Sequence, residues 1–271
     1  MEIEKLPSLD DTKALDIATI RSFRENGHVL IPGILNREEV KAYRDIIKDA
    51  AYKYNTETRA MEERDTYGKA FLQIMNLWEV DKAVKKFTLA KRFAKIAADL
   101  LGVEQVRIYH DQALYKEAGG GLTPWHQDQY YWPIDTPDTV TMWMPLIDIT
   151  EEMGMLTFAS GTHEKGFVGD VAISDESEKM LDAYVKQNGF TVTRPQTMNA
   201  GDATWHYGWT LHCAPGNASP TTREVMTIIY FADGAKVITP KNENQEADRQ
   251  RWLCGAAPGT KAASALNPLV T

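Results

Sequence analysis

Cysteine is scarce in this chain. Cys213 and Cys254 are the only two, too few for a disulfide framework. That scarcity points to a reducing compartment, and the expectation is a cytoplasmic protein. Long apolar runs are also missing. No window holds eighteen or more apolar residues, so neither a transmembrane helix nor a membrane partner is expected. The start, Met1-Glu2-Ile3-Glu4-Lys5, lacks the apolar stretch of a secretory signal, and none is read there. Basic charge is in deficit: 30 Lys and Arg stand against 38 Asp and Glu, a formal net charge of −8. This balance argues against nucleic acid as a partner. It also means that an anionic ligand would need a local cation inside its pocket. No internal repeat or low-complexity block is present. What remains is an ordinary globular composition, 43% hydrophobic over 271 residues, which suits one large domain.

The pattern changes character along the chain. Its first third reads helical. Leu15, Ile17, Ala18, Ile20 and Phe23 form an apolar stripe that stops at Asn26-Gly27, a C-terminal signal. His28-Val29-Leu30-Ile31 reads as a short strand closed by Pro32-Gly33. Asn36 and Glu39 make a capping-box pattern for a helix from Arg37 to about Lys53. The charged run from Glu57 to Lys69 reads as a solvated loop or ragged helix, with a lid over a pocket mouth as the functional alternative. Phe71 to Trp78 fits neither period. Lys82 to Leu101 reads as one amphipathic helix ending at Gly102.

From Val103 onward, short strand-like runs alternate with turns: Val106–Tyr109, Gln112–Tyr115, Trp125–Tyr131, Thr139–Leu146, Gly154–Phe158, Thr191–Thr193, Ala203–His206 and Val225–Phe231. Such spacing predicts an antiparallel sandwich or barrel. One helix, about Glu176 to Asn188, interrupts it, and the tail from Pro240 reads as wrapped on the surface or loose. The expected organisation is one domain over 1–271, with a helical layer to about 102, a β core over about 103–235 and a tail over 236–271.

The stretch Thr123-Pro124-Trp125-His126-Gln127-Asp128-Gln129-Tyr130-Tyr131-Trp132 carries the chemistry. In a strand, positions i and i+2 share a face, so His126 and Asp128 would aim at one spot. Tyr130 would share that face and Trp132 would continue it, which makes both candidate substrate contacts. One imidazole and one carboxylate are two members of the 2-His-1-carboxylate set that binds non-haem iron. His-x-Asp also arises by coincidence, so a third ligand is needed. The segment Ala200 to Asn217 offers two, His206 and His212, and side-chain chemistry alone leaves the choice open. Arg223 then opens the apolar strand Val225–Phe231. An arginine leading a buried strand is costly unless an anion pairs with it, and its planar fork suits a carboxylate. A surface ion pair with Glu224 is the bland alternative.

His126-x-Asp128, His212, and Arg223 eleven residues further on resemble the phytanoyl-CoA dioxygenase-like family of Fe(II)/2-oxoglutarate oxygenases. Three stretches carry the resemblance: "TPWHQDQYYWP", "MWMPLIDITEEMGMLTFASGTHEKG" and "GDATWHYGWTLHCAPGNASPTTREVMTIIYF". The opening "FRENGHVLIPGILNREEVKAYRDII" is similar to the family's as well. Together they span roughly residues 19 to 233. Ser160 and Met153 depart from common family residues, and Ala214 stands where some members have a Ser that helps hold the cosubstrate.

The resemblance implies a double-stranded β-helix core, a jelly roll of the cupin kind, under a helical N-terminal layer. It implies that His126, Asp128 and His212 ligate Fe(II). Arg223 would pair with the distal carboxylate of 2-oxoglutarate, and Gln112 and Trp143 would line the cosubstrate pocket. Dioxygen is then the third reactant and a small molecule the substrate. The retained Asp128 favours hydroxylation or a related oxidation over halogenation. His206 becomes a packed, hydrogen-bonded residue or a wall of the substrate pocket. His28, His110 and His163 read as structural. Trp205, Tyr207 and Trp209 are expected to add aromatic surface near the slot. Two rivals remain: a cupin-type Zn or Mn hydrolase or isomerase, and a non-catalytic binding domain.

Overall fold

Local signals set the first boundaries. Asp16 accepts from the Thr19 amide and Gly27 turns left-handed at φ 81°, which bounds helix α1 at Ile17–Asn26. In this computed structural model, which describes residues 3–12 and 14–270, the elements follow in order. They are β1 (His28–Ile31), α2 (Arg37–Tyr54), α3 (Thr66–Ala70), β2 (Leu72–Met75), α4 (Leu77–Val80), α5 (Lys82–Thr88), α6 (Lys91–Leu101), β3 (Val106–Lys116) and β4 (Thr123–His126). Then come β5 (Thr139–Pro145), β6 (Ile149–Thr150), β7 (Thr157–Ala159), α7 (Asp175–Gln187), β8 (Val192–Thr193), β9 (Thr197–Met198), β10 (Ala203–Tyr207), β11 (His212–Ala214), β12 (Arg223–Ala232), α8 (Glu243–Trp252) and β13 (Leu269–Val270). The Asn36/Glu39 capping box of α2 forms as read. No helix among the described residues is long and apolar enough to cross a membrane.

A large antiparallel sheet has the order β1-β10-β5-β12-β3-β13, with β2 also paired to β3. A smaller sheet, β4-β11-β7-β8, faces it. Side chains alternate across the large sheet. Val140, Met142, Trp205, Met226, Ile228 and Tyr230 bury one face under α2, α5 and α6. The opposite face carries Gln112, Thr141, Trp143, His206, Arg223 and Thr227 around a cavity between the sheets. This is the expected jelly-roll core with its helical layer.

Three expectations need correction, and one open alternative is decided. Lys82–Leu101 is two helices. The chain turns extended at Ala90 (ψ 129°), and the amide of Arg92 donates to the Leu9 carbonyl at 3.0 Å. Both helices bury their apolar faces in the same layer, so the stripe runs through the break unmarked. The runs Val106–Tyr109 and Gln112–Tyr115 are one strand. A bulge opposite Ile229 and Tyr230 skips Tyr109 in the pairing, so the adjacent Tyr109 and His110 both come to the inner side. The strand read from Trp125 to Tyr131 stops at His126, and Asp128–Tyr131 is a 3-10 turn. Buried Gln127 makes that turn, donating to the carbonyls of Gly166 and Trp209 at 2.7 Å each and accepting from the Val168 amide at 3.1 Å. Finally, the tail is not loose. Asn242 caps α8 through the Gln245 amide, and Leu269–Val270 add an edge strand beside β3.

Candidate metal centre and cavity

His126 ends β4 and His212 begins β11, and the two are direct partners across the small sheet. Their ring centroids stand 4.0 Å apart. Asp128 comes from the turn, not the strand, and its Oδ1 lies 3.5 Å from His126 Nε2 and 3.6 Å from His212 Nε2. One donor atom from each of the three lies within 4.8 Å of the others. The rings are oriented from behind. Nδ1 of His126 donates to the Pro124 carbonyl at 2.7 Å and Nδ1 of His212 to that of Thr210 at 2.9 Å. Both Nε2 lone pairs are thereby turned inward, the usual arrangement for ligating imidazoles. Burial and the neighbouring His126 ring keep His212 well below its ordinary pKa, hence neutral. Burial works against the Asp128 charge, yet the hydrogen bond from His206 Nε2 helps hold its carboxyl below the usual range. Two imidazoles and a carboxylate converging from one side fit a non-haem ferrous ion.

His206 is not part of this triangle. It lies 1% exposed on β10, and its Nε2 reaches the other carboxylate oxygen, Oδ2, at 3.2 Å. The Thr141 hydroxyl donates to the same oxygen at 2.9 Å.

Arg223 is 2% exposed and lines the same cavity. One guanidinium nitrogen donates to the Gly154 carbonyl, the group lies 5.0 Å from the Trp143 ring centroid, and Nε has no partner. No carboxylate pairs with it among the described residues, because Glu224 is taken by Arg44 at 2.6 and 2.9 Å. Burial lowers its pKa to about 9. Only glycine suits position 154, where φ is 78° and a Cβ would stand 2.5 Å from the Pro215 carbonyl oxygen. Gln112, Trp143 and Ala214 line the cavity too, with Gln112 held by the Gln73 amide at 2.6 Å.

The cavity measures about 460 Å³. Trp132 and His206 reach it as read, but Tyr130 does not. Once the strand gives way to a 3-10 turn, the period of two is lost and Tyr131 takes the inward position, its hydroxyl accepting from the Ile173 amide at 2.9 Å. Tyr130 instead stacks beside Phe167. Trp205 and Tyr207 face the helices, and Trp209 meets Phe167 edge-on, so none of the three lines the cavity. His28 stacks on Phe158 and His163 on Tyr207, structural as read.

His110, read as structural, is in the cavity wall because of the bulge. Tyr67 of α3 reaches in from the charged run, and Asp248, Arg251 and Trp252 of α8 close the far side. Burial raises Asp248 to about 7, and Tyr109 donates to it at 2.9 Å. Sequence reasoning missed α8. Its only signal was Asp248 and Arg251 spaced one turn apart ahead of Trp252.

The profile of the family described as Phytanoyl-CoA dioxygenase (PhyH) matches residues 23–225. The chain is 24% identical over 226 residues to a probable alpha-ketoglutarate-dependent hypophosphite dioxygenase of Stutzerimonas stutzeri, covering 79% of this chain and 78% of the relative. It is 24% identical over 228 residues to the L-proline trans-4-hydroxylase of Streptomyces griseoviridis, covering 77% and 83%. Among solved structures, the carbocyclase SnoK from nogalamycin biosynthesis superposes with a TM-score of 0.76 at 23% identity, covering 98% of this chain and 99% of that one. EctD from S. alaskensis with 2-oxoglutarate and 5-hydroxyectoine superposes at 0.71 with 18% identity, covering 96% and 91%. These superpositions establish the shared fold.

Proposed function

The chain belongs to the phytanoyl-CoA dioxygenase family, and on that premise we propose that it is an Fe(II)- and 2-oxoglutarate-dependent dioxygenase. It hydroxylates or otherwise oxidises a C–H bond of a small molecule, with release of succinate and CO2. His126, Asp128 and His212 hold the iron, and Arg223 pairs with the distal carboxylate of 2-oxoglutarate, with Gln112 and Trp143 beside it. The observation that carries this reading is the buried Arg223, which has no acid partner among the described residues and faces the same cavity as the triad. A guanidinium in that position is costly until a dianion enters.

The ferrous ion, once bound, couples the oxidative decarboxylation of the cosubstrate to activation of dioxygen. The protein supplies the rest. Strand partners hold the two imidazoles, and the Pro124 and Thr210 carbonyls keep their Nε2 atoms free of protons. Arg223 and Trp143 orient the cosubstrate. The substrate occupies the aromatic end between Tyr67, Tyr131, Trp132 and Trp252, with Asp248 and Arg251 as its polar contacts.

The first test is thermal unfolding with Mn(II) in place of Fe(II), with and without 2-oxoglutarate. Stabilisation by the pair beyond the metal alone is expected. A cupin-type Zn or Mn enzyme would respond to the metal and ignore 2-oxoglutarate. Succinate release that requires Fe(II) then separates an enzyme from a binding domain, and its absence over a broad substrate panel sinks the assignment.

A further inference from the structure

His206 and Thr141 are direct partners across β10 and β5, and both side chains meet the same oxygen of Asp128. We propose that they form a clamp of two positioning residues that reserves Asp128 Oδ2 for hydrogen bonding, so that Asp128 offers the metal one oxygen only. The inference rests on the reading of His126, Asp128 and His212 as ligands.

The need for a clamp follows from local structure. The two ligand imidazoles are fastened to paired strands and to backbone carbonyls. Asp128 starts a 3-10 turn and has no such backing, and a carboxylate free to rotate could present either oxygen or both. Its two oxygens are instead differentiated. Oδ1 faces the imidazole nitrogens at 3.5 and 3.6 Å, while Oδ2 takes the Thr141 hydroxyl at 2.9 Å and His206 Nε2 at 3.2 Å. The tautomer of His206 is determined by its surroundings. Its Nδ1 is buried without a partner, so the ring proton sits on Nε2, where an acceptor waits. The ring leans on Phe158 and His212, at centroid distances of 5.3 and 4.4 Å. A phenyl ring could fill that space, and packing alone gives no reason for an imidazole with one nitrogen left unbonded.

The experiment measures Mn(II) affinity by calorimetry on the full chain without cosubstrate, alongside the unfolding temperature of each metal-free variant. His206→Phe keeps the ring and removes the donor, and Mn(II) binding is expected to weaken by about tenfold to a hundredfold. His206→Gln keeps an N–H donor and should recover most of that loss. Thr141→Val, isosteric on its strand, should weaken binding by about tenfold. Unchanged affinity in His206→Phe reduces the residue to packing and overturns the clamp. A complete loss equal to that of His212→Ala makes His206 a ligand and overturns it equally. Should His206→Phe fail to fold, Thr141→Val decides alone, and unaltered affinity there rejects the clamp. Asp128→Ala guards the underlying reading: full Mn(II) affinity in that variant removes the triad itself, whereas its loss beside a neutral His206→Phe removes only the clamp.

Discussion

The two faces of the large sheet come from the same strands and do opposite work. Along β12, Met226, Ile228 and Tyr230 turn to the helices and make an apolar core. Arg223 and Thr227, at alternate positions, turn to the cavity. On β5, Val140, Met142 and Met144 alternate with Thr141 and Trp143, and on β10, Ala203 and Trp205 alternate with His206. All of these residues are buried, so burial does not distinguish the faces; the partners do. The helical face gains its free energy from apolar area removed from water. The cavity face spends some of that gain on polar groups held for ligands. Substitutions on one face should therefore change stability with little effect on chemistry, and substitutions on the other should do the reverse.

The sharpest contrast is expected at the triad, which the small sheet and the Asp128 turn hold across the cavity from the large sheet. His126→Ala, Asp128→Ala or His212→Ala should each reduce 2-oxoglutarate turnover to background, because one ligand of three is lost. The metal-free unfolding temperature should stay near that of the parent. Succinate release and a thermal melt read the two arms, and a collapsed melt would break the division of labour. Across the sheet, Trp205→Ala removes a fully buried indole from the helical face and should cost about 3–5 kcal/mol in a denaturant titration. The fraction still folded should bind Mn(II) with parental affinity. Weakened Mn(II) binding there would mean that the two faces are coupled.

Arg223→Met should move both quantities in opposite directions. Loss of a charge-assisted contact predicts 2-oxoglutarate binding weaker by about 2 kcal/mol, roughly thirtyfold. Loss of a buried cation with no acid partner predicts a ligand-free protein at least as stable as the parent. Calorimetry with Mn(II) present and a parallel melt test it. Parental cosubstrate affinity would remove Arg223 from its proposed role.

The alternation also explains what could be read in advance. The convergence of His126, Asp128 and His212 was legible only through the family resemblance, because ligand chemistry alone left His206 and His212 open as the third member. The class of fold was legible from the density of short strands. The Lys82–Leu101 break was hidden because both halves pack on one layer, and tertiary contacts at Leu9 end the run. The period of two puts Tyr130 in the place of Tyr131 because Gln127, which turns the chain, acts through contacts remote in sequence. His110 needed the bulge, which exists only in the pairing with β12. The α8 wall has polar composition and no apolar stripe, and its two buried residues, Gln245 and Trp252, are covered by contacts with Tyr130 and with the Tyr109 cluster that only the fold brings near.

The smallest expected effect concerns Lys116, the partner of Arg223 across β3 and β12. It is fully buried, with its ammonium nitrogen on the Gly121 carbonyl and 3.3 Å from the Thr123 hydroxyl. Burial, together with the neighbouring Arg223 charge, lowers its pKa from 10.5 to about 6. The folded chain then leaves Lys116 neutral over a window in which the unfolded chain protonates it. Between about pH 6 and 10.5 the unfolded state binds the extra proton, so the contribution of Lys116 to stability rises with pH. The slope is at most about 1.4 kcal/mol per pH unit. Lys116→Met, melted beside the parent at pH 7 and pH 8, isolates this group from the others that titrate. The parent should gain relative to the variant as pH rises. An equal response in both would mean that Lys116 stays protonated beside Arg223, and that the cavity face tolerates two adjacent cations without an anion to join them.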